Sequence, residues 1–242
     1  MLNQTSSIAV KTISNTLGHF RSHSRTVLYT LLLSTTPTAL ALLLHLWKNI
    51  PLGDLTRDLA AIGHLPVYAG FLSQIGLMLW SGTITACLLI ASHGTTDPAL
   101  RALKKFMLYS GLLTALLAID DAFLLHEALL PAFGVPEKIV FAAYFGITLA
   151  YLFRFYKLMR HTCYALMLSA LACFALSIFV DQVSPEEMNL YLLEDGAKIA
   201  GIGCWMAYFL FTASDILQSK GASIKRGEME VIKQFRDTAE TI

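Results

Sequence analysis

The sequence predicts an all-α fold: a polytopic integral membrane protein, a bundle of six transmembrane helices with both termini cytoplasmic. Three observations predict it. Hydrophobic residues make up 55% of the 242 residues and charged residues only 14%, against a usual charged share of roughly 25% in soluble domains. Six stretches are each about as long and as apolar as a membrane-crossing helix, which needs roughly 20 residues. Lastly, the charges are sharply segregated along the chain although the net charge is only +1. This composition excludes a disordered chain and a nucleic-acid binder with a basic face.

The predicted spans run over residues 27–47, 67–92, 106–126, 137–156, 162–183 and 193–215. None shows the alternation of an outer-membrane barrel strand, and the need to satisfy every backbone group in lipid then leaves helices. The basic residues fix the expected orientation. The N-terminal segment carries Lys11, Arg21 and Arg25, the second loop Arg101, Lys104 and Lys105, and the fourth loop Arg154, Lys157 and Arg160. The tail carries Lys220, Lys225, Arg226, Lys233 and Arg236. Fourteen of the 18 Lys and Arg residues thus fall on one side, and only an even number of spans keeps that alternation. Residues 1–26 form a basic, acid-free segment that suits an amphipathic surface helix, with a composition also found in transit peptides. Residues 27–217 form the six-helix domain and 218–242 a charged cytoplasmic tail. The first apolar run is a full-length span, so no cleavable secretory signal is expected. Cys87, Cys163, Cys173 and Cys204 lie in or beside spans without a CxxC, and are expected to pack as thiols rather than as disulfides.

The acids are distributed the other way: 11 of 17 fall on the outer side or in the outer ends of spans. An ionisable group inside a span is costly and marks a candidate site. The third span closes on Ile-Asp-Asp-Ala-Phe-Leu-Leu-His-Glu. If the helix continues through this run, Asp120 and Glu127 share a face two turns apart, while Asp121 and His126 lie on others. The alternative is that the helix ends near Asp120 and these groups are wet. The sixth span opens with Glu194, Asp195 and Lys198. Glu194 and Lys198 stand in the favourable i, i+4 order for a salt bridge, although Lys198 can equally reach Asp120 or Asp121 across the bundle. Ser177 and Asp181 form an i, i+4 pair in the fifth span, readable as a cap or as a site. Ser73 and Gln74, early in the second span, suit helix-packing contacts or the same outer mouth, with His64 just outside. The aromatic run containing Phe141, Tyr144, Phe145 and Tyr151 reads as packing or lipid-facing surface.

Polar groups at one depth argue against a transport path, which needs a route across the membrane. They favour an outward-facing pocket that binds or acts on a lipid-like or small amphipathic ligand. The catalytic candidates are Asp120, Asp121, His126 and Lys198, and the substrate-binding candidates are Ser73, Gln74, Ser177, Asp181 and Glu194. Asp120, His126, Glu127 and Asp181 form a candidate set for a divalent metal cofactor. With so few His and no Cys in it, that set suits Ca²⁺, Mg²⁺ or Mn²⁺ better than Zn²⁺, and metal-assisted hydrolysis is the chemistry it would support. A cation- or proton-coupled transporter and a structural subunit of a membrane complex are the competing classes. The expected surroundings are membrane lipids in a plasma or inner membrane, without nucleic acid, as a homo-oligomer or within a larger membrane complex.

Two short motifs resemble known families. The run from Leu193 to Gly201, with Glu194 four residues before Lys198, resembles the last helix of microbial rhodopsins, whose lysine carries retinal. The chain has one span fewer and lacks the arginine-plus-aspartate counter-ion helix. The Asp-rich end of the third span is similar to alkaline-ceramidase-like membrane hydrolases, whose final-helix His pair for zinc is replaced here by Glu194 and Lys198. Each resemblance covers one motif and assigns no family.

Overall fold

A computed structural model describes residues 24–93, 98–183 and 190–239. Among them there is no strand, and six helices are long and apolar enough to cross a membrane. They are α1 (Ser24–Lys48), α2 (Phe71–Ser92), α3 (Pro98–Phe123), α4 (Glu137–Met159), α5 (Tyr164–Val183) and α6 (Tyr191–Ala239). Chain contacts divide the molecule into two units, residues 1–69 and 70–242.

In the first unit, α1 buries none of its residues. Its helix continues through Pro37. The hydroxyls of Ser34, Thr35 and Thr36 turn back to the carbonyls of Thr30, Leu31 and Leu32 at 2.7–2.9 Å, a common adjustment of Ser and Thr in membrane helices. Asn49, at φ 54°, ends it in the left-handed region, which suits Asn better than most residues. Two short helical turns follow, Leu52–Thr56 and Leu59–Ile62. The expected basic segment 1–26 falls almost wholly outside the described residues.

In the second unit, α6 is the central helix. It packs along α5 on one side and α2 on the other; α2 also packs along α3, and α4 meets α3 more lightly. Large side chains fill the centre: Trp80 of α2, Phe106 of α3, and Trp205, Tyr208 and Phe209 of α6 are all buried. Their rings meet edge-on or tilted at centroid distances of 4.9–6.3 Å, the spacing that aromatic pairs prefer. Small residues let the backbones approach. A Cβ placed on Gly201 would lie 2.8 Å from the Phe174 ring and 3.2 Å from the Ala170 carbonyl oxygen, and one on Gly111 would lie 3.1 Å from Cys87 Cβ. All four cysteines are free thiols, Cys87 fully buried.

The helix bounds differ from those predicted, among them the start of the third span, which begins at Pro98 rather than at 106; two of the differences bear on the site. The second span begins at Phe71 rather than at 67, because Gly70 at φ 69° turns the chain into it. The third ends at Phe123 rather than at 126. Leu124 adopts φ 49°, ψ 47°, and residues Leu125–Leu129 form a π-helical turn in which the Leu124 carbonyl accepts the amides of Ala128 at 2.8 Å and Leu129 at 3.0 Å. The tail beyond 218 continues α6 without a break to Ala239; its charged side chains lie outside the described residues.

Candidate functional site

The break after Phe123 builds the site. Asp120 sits one turn before the end of α3 and is only 7% exposed. Because the chain reverses at Leu124, His126 folds back onto it. Asp120 Oδ1 accepts the His126 backbone amide at 3.0 Å, and Oδ2 lies 2.6 Å from His126 Nδ1. From α4, the Tyr144 hydroxyl donates to Oδ1 at 2.8 Å. A carboxylate can only accept, so Nδ1 carries the proton, and in a neutral imidazole Nε2 is left as an acceptor. The Phe141 ring, one turn before Tyr144, lies 4.8 Å from the imidazole centroid. The expected face shared by Asp120 and Glu127 is therefore corrected. The intervening residues are not α-helical, so Asp120 meets His126, while Glu127 is exposed. Asp120 is not a wet helix end either; three protein donors replace its water.

The adjacent carboxylate has a different partner. Asp121 Oδ1 accepts from Lys198 Nζ of α6 at 2.5 Å. Asp121 also lies against α2, where its second oxygen is 3.8 Å from the Cβ position of Gly76. The i, i+4 salt bridge expected between Glu194 and Lys198 gives way to this interhelical pair. The Asp121 side chain is 10% exposed and that of Lys198 44%, so the ammonium reaches inward from the rim to the carboxylate. Seven residues before Asp121 and seven after Lys198, Trp205 Nε1 donates to Thr114 Oγ1 at 3.0 Å. The two bonds are equally spaced on antiparallel helices, and so they hold α3 and α6 in one register. Ser110, one turn further along α3, is 2.6 Å from the Tyr151 hydroxyl of α4.

The remaining candidates divide. Glu194 lies within electrostatic range of Asp181, Asp195, Glu127 and Lys198, so acids from the α3–α4 connection, α5 and α6 converge at one end of this unit. Ser177 is buried on α5, but its expected pairing with Asp181 is corrected: Asp181 is exposed and accepts instead from its neighbour Gln182 at 3.0 Å. Ser73 and Gln74 are exposed on the first turns of α2, where Gly76 rather than either of them faces the carboxylate. His64 belongs to the first unit. Glu186 and Glu187 lie outside the described residues.

The four residues expected to hold a divalent metal do not form a ligand set. Asp120 and His126 are bonded to each other, whereas Glu127 and Asp181 are exposed. Among the described residues no group of three or more His, Cys, Asp and Glu is close enough to bind a metal ion. The physical reason is that protein donors already occupy both oxygens of the best-placed carboxylate.

Sequence reasoning missed Tyr144, Gly76, Thr114 and Trp205. Tyr144 carries a usable signal: it stands two turns into a helix that starts at the acidic end, beside an acid in the last turn of its antiparallel neighbour. Thr114 and Trp205 carry none until the register is known.

No curated protein and no solved structure matches the chain. Its residues 27–212, well over half its length, match a family described as a domain of unknown function (DUF8692), and the chain belongs to that family.

Proposed function

We propose that the chain is a multi-pass membrane protein, both termini cytoplasmic, whose outward-facing end binds a small amphipathic molecule bearing a protonated amine or a hydroxyl. The observation that supports it most is the state of His126. Its Nδ1 is committed to the buried Asp120 carboxylate, its ring is 20% exposed at the side chain, and Nε2 is left to meet a donor. A carboxylate in this position fixes the tautomer and the direction of the second nitrogen, the use enzymes make of an Asp–His pair. The strained, non-glycine Leu124 and the π-turn beside it support the reading, because such features collect at ligand sites. The exposed acids around Glu194 would attract a cationic head, and the apolar helix ends would take its tail. Where chemistry follows binding, His126 is the proton acceptor.

A packing role suits the second carboxylate. Asp121 and Lys198 neutralise each other and share a register with Thr114 and Trp205. The transporter reading has less support, because residues 106–119 of α3 and 199–214 of α6 contain no Asp, Glu, His, Lys or Arg to relay an ion at mid-depth.

The test is a thermal-shift titration of the detergent-purified protein with single-chain amphiphiles of equal tail length and amine, hydroxyl or carboxylate heads. A ligand at 100 times its Kd stabilises by about 2.7 kcal/mol, a rise of roughly 5–10 °C for a chain of this size. The amine or hydroxyl series should give this rise, and His126→Gln should abolish it while the unliganded midpoint falls by no more than about 4 °C, the loss of one donor to Asp120. A rise that survives His126→Gln, or none with any head, rejects the proposal.

A further inference from the structure

At the opposite end of the second unit, α3 and α4 part to leave a groove of about 480 Å³. Its mouth carries Lys105 of α3 and Arg154 of α4, both exposed. Lys105 stands five residues before Ser110 and Arg154 three after Tyr151. The 2.6 Å bond between Ser110 and Tyr151 thus brings the two cations to similar depth on antiparallel helices. No acid lies within ion-pairing distance of either among the described residues; Arg154 rests only on the Phe155 ring, 5.4 Å from its centroid. From this mouth the groove runs along Leu112, Leu116 and Ile147, over a floor closed by the buried Tyr151. The eleven residue steps from Lys105 to Leu116 span about 16 Å of helix, half of a hydrocarbon core roughly 30 Å thick. The groove therefore has the length of one leaflet's acyl chain, an apolar wall, and two cations, unpaired among the described residues, where a headgroup would lie.

We infer that this groove binds one acidic phospholipid, an acyl chain lying along Leu112, Leu116 and Ile147 and its phosphate held between Lys105 and Arg154. The inference rests on the membrane placement proposed above, which turns this end to the cytoplasmic leaflet, where acidic lipids concentrate and basic pockets between helices bind their heads. It is independent of the His126 site, at the other end of the same helices. The α3–α4 contact is light, so the chain fills space that side chains leave open, and charge complementarity selects the acidic head over a zwitterionic one.

The experiment is native mass spectrometry of the full chain in a mild non-ionic detergent, with equal amounts of phosphatidylglycerol and phosphatidylcholine of the same chain length. One phosphatidylglycerol should be retained in preference. Lys105→Ala/Arg154→Ala should lower that preference about 30-fold, the weight of two basic residues at an anionic surface. Ile147→Trp, which fills the groove from its exposed rim, should reduce retention of both lipids. His126→Gln should leave the preference intact. Equal retention of the two lipids by the unaltered chain overturns the inference, as does a preference that survives the double substitution. Glycerol 3-phosphate displacing the lipid at equal concentration also overturns it, since the chain groove would then contribute nothing. Alkaline carbonate extraction separates the two failures. A chain that stays in the membrane pellet without preference overturns the groove alone; a chain released to the supernatant overturns the membrane placement as well.

Discussion

Adjacent carboxylates in an apolar helix repel each other and lose hydration, and Asp120 and Asp121 are kept by being given different partners. Their inequality is testable. Lys198 is far more exposed than the carboxylate it serves. Removing the lysine strands a nearly buried charge, whereas removing the acid leaves an ammonium that can return to water. Lys198→Met should thus cost about 2 kcal/mol, below the usual cost of breaking a fully buried pair because water reaches the rim. Asp121→Asn should cost about 1 kcal/mol or less, and the double variant should resemble Asp121→Asn rather than the sum. Denaturant or thermal unfolding in detergent gives all three values; equal single costs would mean that the exposures do not govern the pair. At Asp120 the same logic gives a smaller step. Tyr144→Phe removes one of three donors and should cost about 1 kcal/mol, with the His126 contacts intact.

At the scale of elements, the register of α3 against α6 depends on two polar bonds seven residues apart, while the approach of α5 to α6 depends on the absence of a side chain. Gly201→Ala would push a methyl to 2.8 Å from the Phe174 ring and 3.2 Å from a backbone carbonyl. The ring can give way but the backbone cannot, so a loss of about 1–3 kcal/mol is expected, as for other overpacked sites. Gly203, two residues on, has nothing within 4 Å of its Cβ position. Gly203→Ala should be neutral or stabilise by up to about 1 kcal/mol through helix propensity. Melting the two variants side by side tests the packing, and a Gly201→Ala protein as stable as the parent would remove the close α5–α6 contact from the account. The left-handed Leu124 belongs to this scale as well: it is the backbone feature that ends α3 and converts a linear Asp-Asp-…-His-Glu run into a folded Asp–His pair.

For the whole molecule, the topology is the proposal most open to direct measurement. In a background with the four native cysteines replaced, Phe133→Cys lies in the α3–α4 connection and His161→Cys in the α4–α5 connection, both exposed. A membrane-impermeant maleimide added to intact cells should label the first and reach the second only after permeabilisation. Labelling of both from outside, or the reverse order, would overturn the assigned orientation. The same experiment bears on both ligand proposals, since the amine-binding end and the acidic-lipid groove must face opposite sides.

How much of this was legible in the sequence follows from what each signal depends on. Span number and most boundaries follow from local hydropathy, which acts through twenty neighbouring residues and needs no partner, and the six apolar helices match it closely. Titratable groups gathered at one end were visible for the same reason: the depth of a residue in a span is a matter of counting. The pairing of Lys198 across the bundle was visible as one of two options, because a lysine inside an apolar helix needs an acid somewhere. Which acid it takes, Asp121, was decided by the register of α3 on α6, set by a threonine and a tryptophan with no sequence signature. The union of Asp120 with His126 was invisible, since it requires a single leucine to enter the left-handed region and end a helix whose hydropathy runs on. The expected metal ligands scattered for the matching reason: spacing in the chain equals spacing on a helix face only while the helix lasts. The sequence determined the number, length and polarity of the helices, which are properties of short segments. The tertiary structure alone decided which polar atoms are satisfied by protein, as at Asp120 and Asp121, and which, like Lys105 and Arg154, have no ion-pair partner among the described residues.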